Sequence, residues 1–572
     1  MTASALPAFV SGRRVPNLWD FAAIACVLAL IILVAHAAGG TLAPLPKQAT
    51  IHLGLAYLPY YALRTTLRMF VALTFSILFT LIVAPLAAKS RRLSMIIIPA
   101  LDILQSVPIL GFLSFTVLFF LNLFPGRVLG AELAAVFAIF TSQAWNMTFS
   151  FYQSLTTVPR DLDEASRSFQ LTIWQRFWRL EVPFAMPGLV FNTMLSMSGG
   201  WFFVVASEAV TVGNTTFLLP GIGSYVSVAL QQSNLTAVLY AIIAMLIVIL
   251  VYDQLLFRPL VAWSTKFRFE MTSGGEAPDP WVLSVLRRTQ ILRLVGEAIG
   301  EFGNALGGLR MRLPGRPGAR RQAQPSRILD AIWFTFIGVV VLFALWRIVG
   351  FVAENVTLAV FAHVVLLGCY TLLRVAAALV ISSLVWVPIG VWIGLRPRWA
   401  RLTQPVAQFL AAFPANLLFP IVVIVLVYFR LNPNIWLMPL MIVGTQWYIL
   451  FNVVAGASAF PGDLKEASAN FGVRGWLWWR RVILPGIFPY YVTGALTASG
   501  AAWNSSIVAE VASWGHTTLT AVGLGSFIAE ATNQGNTAHI VLGVAVMTAF
   551  VLGINRVLWR PLHGFAVRRL TF

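Results

Sequence analysis

Apolar runs of about 20 residues, long enough to cross a bilayer as a helix, recur along this 572-residue chain. In the first half they fall near 19–38, 65–88, 100–123, 130–151, 184–210 and 236–257. In the second half they fall near 328–350, 370–395, 405–429, 434–455, 486–512 and 538–558. Short polar and charged stretches separate them. The pattern predicts an all-α integral membrane protein with about 12 transmembrane helices, built as two tandem six-helix domains. The first domain takes 1–260 and the second 328–572, with a basic linker at 261–327.

The two halves repeat one another. VPRDLDEASRSFQLTIWQRFWRLEVPFAMPG in the first answers FPGDLKEASANFGVRGWLWWRRVILPGIFPY in the second. Glu164 pairs with Glu466, Pro183 with Pro485 and Pro187 with Pro489, all at an offset of 302 residues (164 to 466). The register persists through Trp201/Trp503, Glu208/Glu510, Gly221/Gly523, Gly223/Gly525 and Pro259/Pro561. Chance does not hold register over a hundred residues, so the chain is a tandem duplication. The early helices drift slightly, with Pro108 matching Pro414 at 306 (108 to 414).

Composition agrees with a bilayer. Hydrophobic residues make up 59%, charged residues 10%, and the mean hydropathy is +0.83, values outside the range of soluble domains. The net charge of +19 does not point to nucleic acid, because the basic residues sit in short clusters between apolar runs. Arg13-Arg14, Lys89 to Arg92, Arg160 to Arg179, Arg396 to Arg401 and Lys465 to Arg481 fall on one side if six helices alternate. The bias of Lys and Arg toward cytoplasmic loops then places both termini and the linker in the cytoplasm. The N-terminal run 19–38 has the look of a cleavable leader, but a comparable helix opens the second half, so it is expected to be retained. Within the linker, 281–309 is mildly amphipathic. It reads either as a tether on anionic lipid or as a contact for a soluble partner.

A charged, Trp-rich segment between two spans cannot cross the bilayer. Each half has one: Glu164-Ala165-Ser166 leading through Trp174 and Trp178 to Pro183, and Glu466-Ala467-Ser468 leading through Trp476, Trp478 and Trp479 to Pro485. Each is expected to form a short helix at the membrane surface that presents side chains to a soluble partner.

Here the chain resembles a known family, the permease subunits of binding-protein-dependent ABC importers. The family's loop runs Glu-Ala-Ala, three residues, Gly, nine residues, Ile, any residue, Leu-Pro. The second copy fits through Glu466-Ala467-Ser468, Gly472, Val482 and Leu484-Pro485; the first departs at Gln170, where Gly is expected. Gly there permits a sharp bend, so Gln170 predicts a different bend and unequal partner contacts. Arg68/Arg374, Trp201…Glu208, Trp503…Glu510 and the Gly-x-Gly pairs resemble the nitrate/sulfonate/taurine/bicarbonate branch. The resemblance covers most of both halves and not the linker. It implies a translocation pathway for a small, anionic solute in the bacterial inner membrane. It also implies docking of two cytoplasmic ABC ATPase subunits on Glu164, Ala165, Ser166, Gln170, Glu466, Ala467, Ser468 and Gly472, and a periplasmic substrate-binding protein. ATP and Mg would be bound by the ATPase partners. The chain itself carries no phosphate-binding loop, no metal-spaced cluster and no catalytic constellation, so it is not by itself an enzyme.

Two sets of polar residues are candidates for the pathway. Asn192, Ser196 and Ser198, with Thr493, Thr497, Ser499 and Asn504, read either as lining of a wet route or as bonds between helices. Glu208 and Glu510 read either as gate groups or as acceptors for backbone amides of the following glycine-containing loop. Arg68 and Arg374 read as anion attractors or as snorkelling side chains. A different class, an ion-coupled secondary transporter of parallel six-helix repeats, would leave the paired loops without a role.

Overall fold

The computed structural model describes residues 18–39, 41, 44, 50–212, 215–267, 289, 297–298, 300–301, 303–305, 307–309, 327–515 and 517–570. Both chain ends and most of the linker, and with them the sidedness expected above, lie outside those residues. Nine helices are long and apolar enough to span a membrane, and two bent pairs bring the number to eleven among the described residues.

The chain begins with α1 (Leu18–Gly39), followed by α2 (Leu58–Lys89), α3 (Arg91–Ser106), α4 (Ile109–Leu123) and α5 (Val128–Thr156). The short helices α6 (Arg160–Ser168) and α7 (Ile173–Arg176) lead into α8 (Val182–Glu208). A hairpin of β1 (Ala209–Val212) and β2 (Thr215–Leu218) precedes α9 (Ile222–Gln231), α10 (Leu235–Tyr252) and α11 (Arg258–Ser264).

The second half repeats this order with one added short helix, Pro433–Trp436. It runs α12 (Arg327–Asn355), α13 (Leu358–Gly394), α14 (Pro397–Ala412), α15 (Phe419–Tyr428), α16 (Pro433–Trp436) and α17 (Met438–Ser458). Then come α18 (Gly462–Asn470), α19 (Gly475–Trp478), α20 (Leu484–Ala509) and the hairpin β3 (Val511–Trp514)–β4 (Thr517–Thr520). The chain closes with α21 (Leu524–Asn533), α22 (Thr537–Ile554) and α23 (Arg560–Leu570).

The third span of each half is not the single helix expected from the apolar runs 100–123 and 405–429. It is broken, by 91° between α3 and α4 and by 80° between Val406–Ala412 and Ala415–Tyr428. Proline causes both breaks. Val107 and Phe413, each preceding a proline, are extended (ψ 127° and 128°), because the proline ring clashes with a helical predecessor. The hairpins are a second departure from the helices expected over 184–210 and 486–512; the chain leaves the helix at Glu208 and Ala509.

Among the described residues, four five-residue π turns widen the helices at Phe177–Glu181, Asp253–Phe257, Trp479–Ile483 and Asn555–Trp559. Each begins six residues before a proline: Pro183, Pro259, Pro485 and Pro561. Proline offers no N–H and crowds the carbonyl four residues back, and a wider turn relieves both.

The described chain forms two compact units. One gathers 1–40, 157–190 and 252–319; the other gathers 41–156, 191–251 and 320–572. The core of the second draws on both halves: Leu110, Leu113 and Val117 of α4 pack with Val423, Trp503, Ile507 and Val546.

Candidate functional site

Each of the repeated Glu-Ala-Ser loops is a helix–bend–helix. In the first, α6 ends when the Leu171 N–H donates to Ser166 O (3.1 Å) and the Gln170 N–H to Arg167 O (2.9 Å). In the second, Val473 donates to Ser468 O (2.9 Å) and Gly472 to Ala469 O (3.0 Å). This pattern closes a helix through one left-handed residue. That residue is Gln170 at φ 50° and Gly472 at φ 67°. The different bend expected from Gln170 is therefore corrected: both loops turn alike, and the glutamine takes the strained conformation.

The bend leaves Glu164 and Glu466 exposed, Ala165 exposed, Ala467 half-buried, and Ser166 and Ser468 buried. It also puts Phe169 and Phe471 at the tip, 78% and 85% exposed. Sequence reasoning missed the pair, although both lie at the 302 offset.

The second short helix of each loop differs. Thr172 and Gln175 cap α7 reciprocally. Asp163 pairs with Arg167 (2.9 Å) and with Arg176, and Arg176 with Glu181 (3.2 Å). The Gln175 amide also donates to Gly308 O at 2.9 Å, and a Cβ on Gly307 would sit 3.2 Å from Trp178 Cβ. This piece of the linker thus rests on the first loop, a role that neither linker reading anticipated. In the second loop the positions of Asp163, Arg167 and Arg176 are taken by Lys465, Ala469 and Trp478. Among the described residues no ion pair closes them, and a groove of about 420 Å³ opens there, lined by Lys465, Ser468, Ala469, Val473, Arg474 and Trp478 among others.

At the far end of α8 and of α20 lies a buried brace. The Glu208 side chain is fully buried and accepts from Arg68 (2.6 Å), the Thr65 hydroxyl (2.6 Å) and the Gly223 N–H (2.6 Å). Thr65 in turn accepts from the Ile222 N–H at 3.0 Å, and Arg68 donates to Pro220 O at 2.9 Å. The second half builds the same knot. Glu510 is held by Arg374, by Thr371 (2.8 Å) and by the N–H groups of Gly525 (2.8 Å) and Ser526 (3.2 Å). Arg374 reaches Val522 O at 3.0 Å. The glycines are required by close approach: a Cβ at Gly221 or Gly523 would lie 2.4 or 2.3 Å from a carboxylate oxygen. Arg68 and Arg374 are neither snorkelling nor available as anion attractors, because a charge in apolar surroundings is retained only when paired.

The braces differ by one ion pair. In the first half Glu132 joins, bonded to Arg64 and twice to Arg68 (2.5 and 2.8 Å), so two arginines face two glutamates. In the second half, Asn434 O takes the Arg374 Nε–H at 3.2 Å, and Asn434 Oδ1 takes the Val522 N–H at 2.8 Å.

The polar candidates divide. Asn192 donates to Ser150 (2.7 Å) and Asn146 to Ser196 (3.0 Å), bonds that join α5 to α8. Ser198, Thr493 and Thr497 bond to carbonyls of their own helices, and the two threonines are exposed. Ser499 is buried. Asn504 crosses to the other half, accepting from the Ile109 N–H at 2.8 Å. No group of three metal-ligating side chains converges among the described residues.

A family model described as "Binding-protein-dependent transport system inner membrane component" matches residues 76–257 and again 386–559, more than half of the chain. A bicarbonate transport system permease protein, CmpB, of Synechococcus elongatus is 29% identical over 32% of this chain and 64% of its own length. A nitrate import permease protein, NrtB, of Leptolyngbya laminosa is 26% identical over 35% of this chain and 66% of its own length. The glycine betaine/proline betaine transport permease ProW of Escherichia coli is 30% identical over 28% of this chain and 44% of its own length. The matched stretches thus span less than two thirds of these relatives.

Proposed function

Since the chain belongs to the inner-membrane components of binding-protein-dependent transport systems, we propose that it supplies both permease halves of one ATP-driven importer for a small anionic solute. The observation that carries this reading is the pair of loops with one geometry: the same bend at Gln170 and Gly472, the same exposed Phe169 and Phe471, the same acidic start at Glu164 and Glu466. Each loop takes one cytoplasmic ABC ATPase subunit, two in all, and ATP and Mg reside in those subunits. A periplasmic substrate-binding protein delivers the solute from the other side. Both termini and the linker face the cytoplasm. Bicarbonate or nitrate is the class favoured by the names of CmpB and NrtB.

Movement follows from the covalent path. In the second half α20 runs from the loop's π turn to the brace, a helix roughly 40 Å long. Closure of the ATPase pair pulls each loop, and the rigid helix carries the displacement across the membrane. The braces keep the hairpin and its following helix fixed to that moving end. An ion-coupled transporter would keep a titrating acid in its route, whereas Glu132, Glu208 and Glu510 are all tied to arginines.

The test is reconstitution of the chain with its ATPase and binding protein in liposomes. ATP-dependent uptake of labelled bicarbonate or nitrate is expected. Uptake that persists without the ATPase and collapses with the proton gradient would overturn the reading.

A further inference from the structure

The fifth spans, α8 and α20, carry matched stripes one helical face wide. On α20 the stripe is Thr493, Thr497 and Asn504; at the equivalent positions of α8 it is Phe191, Leu195 and Phe202. One stripe carries hydroxyls and an amide, the other only apolar groups. Thr493, Thr497 and Phe191 are exposed, although the rest of each helix is largely packed.

At the end of these stripes the two halves meet. Asn504 Oδ1 accepts from the Ile109 N–H at 2.8 Å, and Ile109 is the first residue of α4, immediately after the Pro108 break. At the matching place the bond runs the other way: the side-chain amide of Asn416, just past the Pro414 break, donates to the backbone carbonyl of Phe202 at 3.3 Å. The joint is tight, since a Cβ on Gly111 would lie 2.8 Å from Val544 Cγ2 across the same boundary.

We propose that Asn504 is the gate residue of the transport route. Its carboxamide closes the path by capping the broken helix of the opposite half, and it lets go when a solute passes. The chemistry suits a bond that must be remade each cycle. The first N–H groups of a helix have no partner within it, so Ile109 needs an acceptor when the route is closed. A neutral amide supplies one without the strength of a charge-assisted bond. The permanent joints of this protein, the braces, use ion pairs. The gate is therefore one-sided: Phe202 offers no side-chain acceptor at the matching place, so the second-half carboxamide does the closing.

This inference rests on the importer reading, and one set of liposomes separates the two. The full chain with its ATPase is reconstituted around trapped nitrate and raffinose, and efflux is followed without ATP. Asn504→Leu removes the acceptor, and Ile109→Pro removes the donor at a helix position that tolerates proline. Losing one neutral hydrogen bond shifts an open–closed balance by roughly fivefold to tenfold, so both variants are expected to release nitrate that much faster while retaining raffinose. Asn504→Asp, which keeps an acceptor, should leak several-fold less than Asn504→Leu. Nitrate release at the parent rate from both variants, with ATPase still bound, overturns the gate; so does release of raffinose from both, which signals a damaged seal. If the parent shows no ATP-driven uptake yet the two variants leak as described, the gate stands and the importer reading falls.

Discussion

The two Glu-Ala-Ser loops are the same motif under different restraint. Their bends match residue for residue, yet the first is tied down by an internal ion-pair chain and by the linker, and the second is left with an open groove. The two braces show the same economy. The essential knot of arginine, glutamate, threonine and backbone amides appears in both, and only the first adds a second arginine–glutamate pair. Duplication preserved the geometry of the loops and the geometry of the braces. What diverged is how strongly each copy is reinforced, and in both places the first half received the extra bonds.

The largest test of that difference is at the braces. Arg374→Ala leaves the Glu510 carboxylate buried with one hydroxyl and two amides, a loss of about 3–5 kcal/mol. The amount of monodisperse protein extracted from membranes should fall several-fold. Arg64→Ala leaves Glu132 still bonded twice by Arg68, so it should cost only about 1–3 kcal/mol. Equal losses would erase the distinction between the braces. Glu510→Gln should fall between these, because Gln keeps hydrogen bonds but leaves Arg374 without its counter-charge; a carboxylate that merely accepted backbone amides would have tolerated that change.

Charge reversal in the loops comes next. Glu164→Arg and Glu466→Arg should each weaken ATPase co-purification by more than tenfold, about 2 kcal/mol or more. Because Gln170 and Gly472 produce the same bend, the two variants should fail equally, and a clear difference between them would point to the linker as its source. That linker effect has its own measurement. Gly307→Leu must displace Trp178, and Gln175→Ala removes the bond to Gly308. Local opening should become easier by about 1–2 kcal/mol, so trypsin should cut the Arg-rich linker several-fold faster. Leu477→Ala, at the position matching Gln175 in the second loop, should leave that rate unchanged.

Much of this was legible in the sequence, for reasons that also mark the limit. Hydropathy located the membrane helices because the bilayer sets their length, and the repeat located the loops because register survives duplication. The breaks at Pro108 and Pro414 were visible as prolines, but a proline inside an apolar run specifies a break only when the structure around it can bend. The hairpins were hidden because Ala209-Val210-Thr211-Val212 continues the apolar pattern of the helix before it. Arg68 and Glu208 were each noticed, yet they lie 140 residues apart, and no local pattern says that they touch. Asn192 and Asn504 looked equivalent as polar residues in fifth spans. One holds its own half together and the other reaches across, which depends on helix face and neighbour.

The smallest expected effect probes the bend itself. A left-handed residue with a Cβ is disfavoured by about 1–2 kcal/mol relative to the ordinary helical conformation, and Gln170 occupies that region at φ 50°. Glycine avoids the clash but loses more backbone entropy on ordering, roughly 0.5–1 kcal/mol. Gln170→Gly should therefore stabilise the first loop by no more than about 1 kcal/mol, and Gly472→Gln should destabilise the second by a similar amount. Neither position lines the groove or the brace, and a Cβ at Gly472 would meet nothing within 4 Å, so the substitutions change backbone strain and backbone entropy and no packing contact. Amide hydrogen exchange in peptides covering 160–176 and 462–478 reads each loop separately. Slower exchange in the first peptide for Gln170→Gly and faster exchange in the second for Gly472→Gln are expected. If Gln170→Gly instead loosened its loop, the glutamine side chain would be contributing bonds that outweigh its strain, and the two bends would be alike in shape but not in energy.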